Sequence, residues 1–404
     1  MSVLVIHPGR QHSHRLALAL QSAGLLAGYW TGIPTALSKH PERLQKIFRA
    51  FVKYDGVSIP SELVTFWPWA SVLQKLVNKT CPKRFAVDYG HRCDGLFDSW
   101  AANKLELVGK VSAVVAYENS AERTFKYAKK QGILCVLDAA SFHPETQDEW
   151  CEYPESPRAH RRIRTRKNTE IALADCILTV SSLARESYIR AGVDGSKVLA
   201  IPLGADLSRF GGLGVKSRAL GPIRFLFAGY ASTRKGIDLL VNALKRLVGE
   251  AVSFEMVIVG DFDPSYAIDL ASVGAVMLGR LSQDKLAIEM QTADCFVLPS
   301  RHDSFGMVVV EAMAAGLPAI VSNRVGAKEA LSEGESGWIL PALDADTLFD
   351  RLLWCTKNMD TVRAMRGYAK RDASRYSWAI YDERVIELFS RLVLTDLNHQ
   401  GNHV

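Results

Sequence analysis

The sequence predicts an α/β chain of two domains, each a parallel sheet covered by helices. Three observations carry this. The chain has 404 residues, which suits about two domains of roughly 150–200 residues. Short β-branched runs alternate with longer stretches of helical periodicity. Several strand runs are apolar on both faces, the pattern of a sheet buried between helix layers.

In the first half, strands are expected at Val3–His7, Ala113–Tyr117, Leu134–Asp138 and Cys176–Val180, with helices at Arg15–Ala23, Ala121–Gln131 and Ser182–Ala191. In the second half, strands are expected at Ile223–Ala228, Phe254–Val259, Cys295–Leu298 and Ala319–Val321, with helices at Ile237–Val248 and Gln283–Thr292. Between the halves, Arg209–Gly221 holds four glycines in thirteen residues and reads as a linker. The expected domains are therefore 1–208 and 221–376. Beyond a boundary near Arg371–Ser377, Trp378–Leu394 has apolar Ile380, Val385, Leu388 and Leu392 at helical spacing, and the tail after it is expected to fray. One octapeptide repeats: Ala174-Asp-Cys-Ile-Leu-Thr-Val-Ser181 returns as Ala293-Asp-Cys-Phe-Val-Leu-Pro-Ser300. Both read as a helix end feeding a buried strand, which favours two similar domains over one large sheet.

Composition narrows the function. Hydrophobic residues are 48% and charged residues 23% of a globular chain. No apolar run approaches the roughly 18–20 residues that cross a bilayer, and the first residues read as a strand rather than a signal peptide. The net charge of +6 suits an anionic small molecule or an anionic membrane face and does not demand nucleic acid. The seven cysteines are odd in number, scattered and free of CxxC, as in a reduced cytosolic core. Arg158–Lys167 carries six basic residues without the interleaved aromatics that single strands want. It reads as a solvated helix face, with an anionic lipid or acceptor as the other possibility. Pro41–Tyr54, basic and amphipathic, precedes Trp67-Pro-Trp69; such a pair docks on a membrane or buries itself in the core.

Two segments carry the chemistry. In Pro299–Pro318 a strand ends, Arg301–Phe305 form a polar loop, and a helix runs from about Gly306 to Ala315. Loops at the carboxyl ends of parallel strands line ligand crevices, and a helix N-terminus offers unpaired amides to an anion. Asp303 and Glu311, eight apart, can accept from different hydroxyls of one extended ligand. Glu311 sits among Val308–Val310 and Ala312–Ala315, where a carboxylate needs a partner. In Phe225–Leu240 a strand ends at Gly229, and Arg234 and Lys235 precede a helix opening at Gly236. Two cations beside a helix start make a phosphate site.

Arg234-Lys-Gly, the Asp303-x7-Glu311 block with Phe305-Gly306, and Glu311-Ala-Met-Ala-Ala-Gly-Leu-Pro318 together resemble glycosyltransferase family 4. The resemblance is strongest over about 170–340. It implies the GT-B fold, two Rossmann-like domains facing across a cleft, and retaining transfer of a hexosyl group from a nucleotide-diphosphate sugar. On that resemblance Arg234 and Lys235 hold the pyrophosphate, and Glu311 accepts the ribose hydroxyls. Asp303 touches the sugar with help from amides over Ser304, Phe305, Gly306 and Met307. Gly229 precedes the phosphate loop, and Arg280 and Leu281 lie where the base is contacted. Asp303 stands where the family usually has Glu, and Tyr230 where many members have Arg.

The opening loop His7-Pro-Gly-Arg-Gln-His-Ser-His14 lines the opposite wall in such enzymes. There Gly9, Arg10, His12 and His14 meet phosphate or acceptor, and His143 closes a further cleft loop. Asp261-Phe-Asp263 imitates a DxD metal motif but reads as a strand-end loop. No metal or cofactor is expected. The expected partners are the nucleotide-sugar donor, a saccharide or lipid-linked acceptor, and an anionic membrane; the expected location is the cytoplasm, with peripheral contact at the inner face of the membrane. A GT-B epimerase or phosphorylase, and a catalytically silent sugar-nucleotide-binding subunit, are the alternatives.

Overall fold

A computed structural model describes residues 2–9, 11–33, 59–107, 109, 111–150, 156–212 and 221–400. Arg10, the Pro41–Tyr54 pattern and most of the Arg209–Gly221 linker lie outside the described residues. The first domain runs β1 (Val3–His7), α1 (Ser13–Ser22), β2 (Leu26–Thr31), β3 (Val64–Phe66), α2 (Trp69–Thr80), α3 (Lys83–Leu105), β4 (Ala113–Tyr117), α4 (Glu122–Lys130), β5 (Leu134–Ala139), α5 (Pro144–Trp150), α6 (Pro157–Leu173), β6 (Cys176–Thr179), α7 (Ser182–Arg190) and β7 (Val198–Ala200). After α8 (Leu207–Gly211) come β8 (Ile223–Ala228), α9 (Ile237–Gly249), β9 (Phe254–Val259), α10 (Ala267–Ser272), β10 (Val276–Gly279), α11 (Gln283–Thr292), β11 (Cys295–Leu298), α12 (Met307–Ala314), β12 (Ala319–Ser322) and β13 (Gly337–Leu340). Three short helices follow, α13 (Ala345–Lys357), α14 (Met359–Ala364) and α15 (Arg366–Ala373), and then the long α16 (Trp378–Gln400).

Every pairing within the two sheets is parallel. The first sheet is ordered β3-β2-β1-β4-β5-β6-β7 and the second β10-β9-β8-β11-β12-β13. Each grows outward in both directions from its first strand. The order reverses between β1 and β4 and between β8 and β11, and the carboxyl ends there open a crevice. The buried strands are apolar on both faces, as in β8, where Ile223 and Phe225 to Ala228 are all buried.

The repeated octapeptide is a repeated structure. The Asp175 amide donates to the Cys135 carbonyl (2.9 Å), and the Asp175 carboxylate accepts from the Cys135 amide (2.9 Å). The Asp294 amide donates to the Arg224 carbonyl (2.8 Å), and its carboxylate accepts from the Arg224 amide (2.9 Å). In both domains a helix-end aspartate thus pins the neighbouring strand by the same pair of bonds.

The chain returns to its first domain at the end. Ala205 forms a parallel bridge with Ser377, and its amide donates to the Tyr376 carbonyl at 2.8 Å. The last helix then packs on α1, where Arg15 donates to Asp382 (Nε to Oδ1, 2.8 Å) and lies over the Trp378 ring.

The basic run departs from expectation. Pro157–Leu173 is one helix, N-capped by Ser156, with Pro157 in its first turn. It is not wholly a solvated face. Lys167 is buried and pairs with Glu118 at 3.1 Å, while Arg166 donates to the carbonyls of His91 (3.0 Å) and Asn119 (2.9 Å). Ile163, Lys167 and Glu170 form an inward stripe at helical spacing. Cys81, Cys93, Cys135, Cys176, Cys295 and Cys355 are free thiols.

Candidate active site

A cavity of about 660 Å³ lies between the domains, with Gln11, His12, Ala140 and Val180 on one wall and Gly229, Lys235, Arg280 and residues 303–308 on the other. The second-domain wall is built at the β8/β11 switch point. Gly236 follows Lys235 with φ 73°, and a Cβ there would lie 2.0 Å from the Pro299 carbonyl oxygen. Only glycine lets the Lys235 turn press against the end of β11. Arg301 locks the same corner, donating to both carboxylate oxygens of Asp238 at 2.7 Å. Lys235 Nζ then pairs with Asp303 Oδ2. Gly306, at φ 88°, turns the chain into α12, where the Val309 amide donates to the Gly306 carbonyl (2.9 Å) and the amides before it lack intrahelical acceptors. A cation and a set of free amides thereby face one space, an arrangement that attracts anions.

Glu311 lies one turn beyond Met307, on the same face of α12 and outside the cavity lining. Burial raises its carboxyl to about 7, with Arg209 pulling the other way.

The first-domain wall centres on His12. Its Nε2 lies 2.9 Å from Asp138 Oδ1, and both side chains are buried. Burial depresses the imidazole pKa, but the charge and hydrogen bond of Asp138, with the charge of Glu118, outweigh it and raise the pKa. His7, one strand-end away, is different. Its Nδ1 accepts from the Gly9 amide at 2.8 Å, and burial lowers its pKa to about 3. Behind this wall Glu118 accepts from Ser141 (2.6 Å) and from Lys167.

The structure gathers Gly229, Lys235, Arg280, Leu281, Asp303, Ser304, Phe305, Gly306, Met307 and His12 around one cavity. It leaves other expected residues off that lining. Arg234 is exposed and reaches the His302 carbonyl at 3.4 Å. His14 donates back to the Gln11 carbonyl. Gly9 holds the loop through its amide and its carbonyl, which accepts from Thr31. His143 packs edge-on against Tyr188 with ring centres 5.2 Å apart, and burial lowers its pKa. The Asp261-Phe-Asp263 loop is occupied locally: Asp261 pairs with Arg280, and Asp263 accepts from the Ser265 amide at 3.1 Å. Among the described residues there is no cluster of three metal-ligating side chains. Sequence reasoning missed Gln11, Asp138 in its role toward His12, and Arg301. Of these only Asp138, at the end of an apolar strand, carried a readable signal.

Two facing Rossmann-like domains with a cleft at both switch points are the GT-B arrangement. Over 98% of this chain and 100% of its own, sucrose-phosphate synthase from Thermosynechococcus elongatus superposes with a TM-score of 0.65 at 18% identity. WaaG, a glycosyltransferase of lipopolysaccharide biosynthesis, gives 0.65 over 96% and 99% at 15% identity. Residues 215–372 of this chain match the model of the glycosyl transferases group 1 family. Phosphatidyl-myo-inositol mannosyltransferase of Mycolicibacterium smegmatis is 32% identical over 227 residues, 52% of this chain and 56% of that protein. D-inositol 3-phosphate glycosyltransferase of Corynebacterium urealyticum is 26% identical over 264 residues, 58% and 61% of the two. The chain thus spans a little over half the length of the curated relatives it matches.

Proposed function

We propose that this protein is a retaining glycosyltransferase that moves a hexosyl group from a nucleotide-diphosphate sugar to a saccharide or lipid-linked acceptor. The observation that carries the reading is the Lys235–Asp303 pair at the mouth of the α12 amides, with Glu311 one turn further along the same helix. A diphosphate takes the lysine and the amides, a ribose takes Glu311, and the transferred sugar meets Asp303. The reaction breaks the bond between the anomeric carbon and the diphosphate oxygen, and the positive wall stabilises the departing charge. The acceptor hydroxyl attacks from the same face and gives its proton to that leaving oxygen, which retains configuration without a protein nucleophile. His12, its pKa raised by Asp138, faces this charge from the other domain.

Relatives named for phosphatidyl-inositol and inositol phosphate support a polyhydroxylated or lipid-linked acceptor. No described helix is long and apolar enough to cross a membrane. On α2, Trp69 (50% exposed), Leu73 (41%) and Leu76 (53%) fall on one face; this supports peripheral contact with an anionic membrane at the cytoplasmic side.

The test is a thermal-shift screen of UDP-, GDP- and ADP-sugars, followed by product analysis with and without acceptors. Binding of one class, transfer to an acceptor and an unchanged anomeric configuration support the reading. Conversion of donor without acceptor points instead to an epimerase, and binding without turnover to a silent subunit.

A further inference from the structure

A second cavity, of about 480 Å³, lies in the first domain between α2 and α3, with Pro8, Gln74, Asn78, Gly90, His91 and Asp94 among its walls. Its size is that of a small-ligand pocket. It adjoins the candidate active site through a single loop: Pro8 faces this cavity, and Gln11 and His12 face the other. Three residues of extended chain span at most about 11 Å, roughly the length of two linked sugar rings.

The walls are built for hydroxyl groups. Gln74 donates through Nε2 to Asn78 Oδ1 and to the Ala86 carbonyl, both at 2.9 Å. Its Oε1 is buried and has no donor among the described residues, a state that costs free energy unless water or a ligand supplies one. Gly90 stands inside α3, where glycine weakens a helix. A Cβ there would lie 3.0–3.2 Å from the Gln74 amide, so the glycine keeps the space in which that amide lies. Asp94 adds a carboxyl 3.8 Å from His91 Nδ1. Burial raises it to about 7, against the charges of Arg166 and Lys167, and such a group both donates and accepts. Amides and a carboxyl at short spacing match vicinal hydroxyls, each of which is both donor and acceptor.

We propose that this cavity is a distal acceptor subsite that seats a polyhydroxylated ring, the unit adjoining the one whose hydroxyl enters the active-site cavity. The inference rests on the glycosyltransferase reading and makes its acceptor at least two units long, or a ring attached to a further group. The exposed face of α2 lies on the same helix as Gln74 and Asn78, so a lipid anchor can remain at a membrane while the ring enters.

The test is ligand-observed saturation-transfer NMR on the full chain with methyl α-mannoside, methyl α-glucoside, maltose, α-1,6-mannobiose and myo-inositol. It is run with the nucleotide selected by thermal shift. Asn78 is exposed, so Asn78→Trp plugs the mouth without entering the core; Gln74→Ala removes the orphaned acceptor. The expected result is transfer to at least one disaccharide or cyclitol, reduced at least fivefold in both variants, with Tm and nucleotide affinity retained. No binding of any probe to the wild-type chain, or equal binding to both variants, overturns the subsite. Loss of nucleotide binding in the wild-type chain overturns the transferase reading instead, and carbohydrate binding in the two variants still decides the cavity.

Discussion

Lys235 and Asp303, 68 residues apart in sequence, form an ion pair on the cleft wall of the second domain. The sequence suggests separate tasks for them, phosphate for the lysine and sugar hydroxyls for the aspartate. The structure makes them one unit. The aspartate holds the ammonium at the mouth of the α12 amides before any ligand arrives. On the proposed reading a donor finds the cation already placed, which lowers the ordering cost of binding.

Replacing Lys235 with alanine is therefore expected to lower kcat/KM for the donor by more than tenfold, at least about 1.4 kcal/mol of transition-state stabilisation. The fold, followed by circular dichroism, stays intact. Unchanged kinetics would remove the phosphate role from this residue.

Asp138→Asn removes the negative charge that raises the His12 pKa and leaves only a neutral amide oxygen as acceptor. The His12 pKa, raised in the folded protein, is expected to fall by more than one unit in an NMR titration of the histidine ring. The sign of the linkage follows: a raised imidazole pKa contributes stability that is complete below the unfolded value near 6.5 and is lost as pH rises through the folded value. The variant's stability should thus depend less on pH across neutrality. A histidine titration that does not move would detach His12 from Asp138.

Glu311 titrates in the opposite sense to a salt-bridged carboxylate. Its folded pKa is raised to about 7 from 4.5, so the folded state binds the proton more tightly and stability falls as pH rises from 4.5 through 7. Each unit is worth 1.36 kcal/mol, so ionised Glu311 costs at most about 3 kcal/mol in the free protein. Glu311→Gln is expected to melt higher than wild type at pH 8, with the gap closing by pH 5, and to bind the nucleotide more weakly. Parallel melting curves across that range would contradict the burial argument.

Gly236→Ala places a methyl group 2.0 Å from the Pro299 carbonyl oxygen, on a backbone at φ 73°. A loss of about 3 kcal/mol or more is expected. Calorimetry should show it as a lower Tm, and the Lys235 turn should lose its donor affinity as well.

Activity is expected to survive EDTA, because Lys235 and the α12 amides can carry the leaving charge. Complete loss, restored by manganese, would instead make ligands of Asp261 and Asp263, which are held here by Arg280 and by the Ser265 amide.

The central strands were legible because they are buried on both faces, and periodicity reports burial. The strands missed are mostly edges or stubs. Val64–Phe66 and Val198–Ala200 are three residues long, and Val276–Gly279 sits at a sheet edge with Val276 and Met277 exposed. Leu26–Thr31 lies one strand in from the edge of the first sheet, and its Gly28 and aromatic pair broke the aliphatic pattern. The second-domain wall of the cavity was readable because its residues follow one another along two loops. The His12–Asp138 contact joins residues 126 apart, and no spacing rule reports such a pair. Arg234 shows the converse: it neighbours Lys235 in sequence but is exposed, because successive side chains of the 3₁₀ turn Thr233–Lys235 point about 120° apart.

The two passages of the chain between lobes, at Ala205 and at Ser377, run side by side and are stitched together. Adjacent attachments behave as a pivot, so the lobes swing about that seam rather than slide. The hydrogen bond from Ser181 Oγ to the Ser304 carbonyl (2.6 Å) and that from the Ser182 amide to Glu329 (2.8 Å) bridge the lobes elsewhere. Ser304 also lines the main cavity, so this clasp between the lobes is part of the pocket they enclose, and parting the lobes at that wall breaks it.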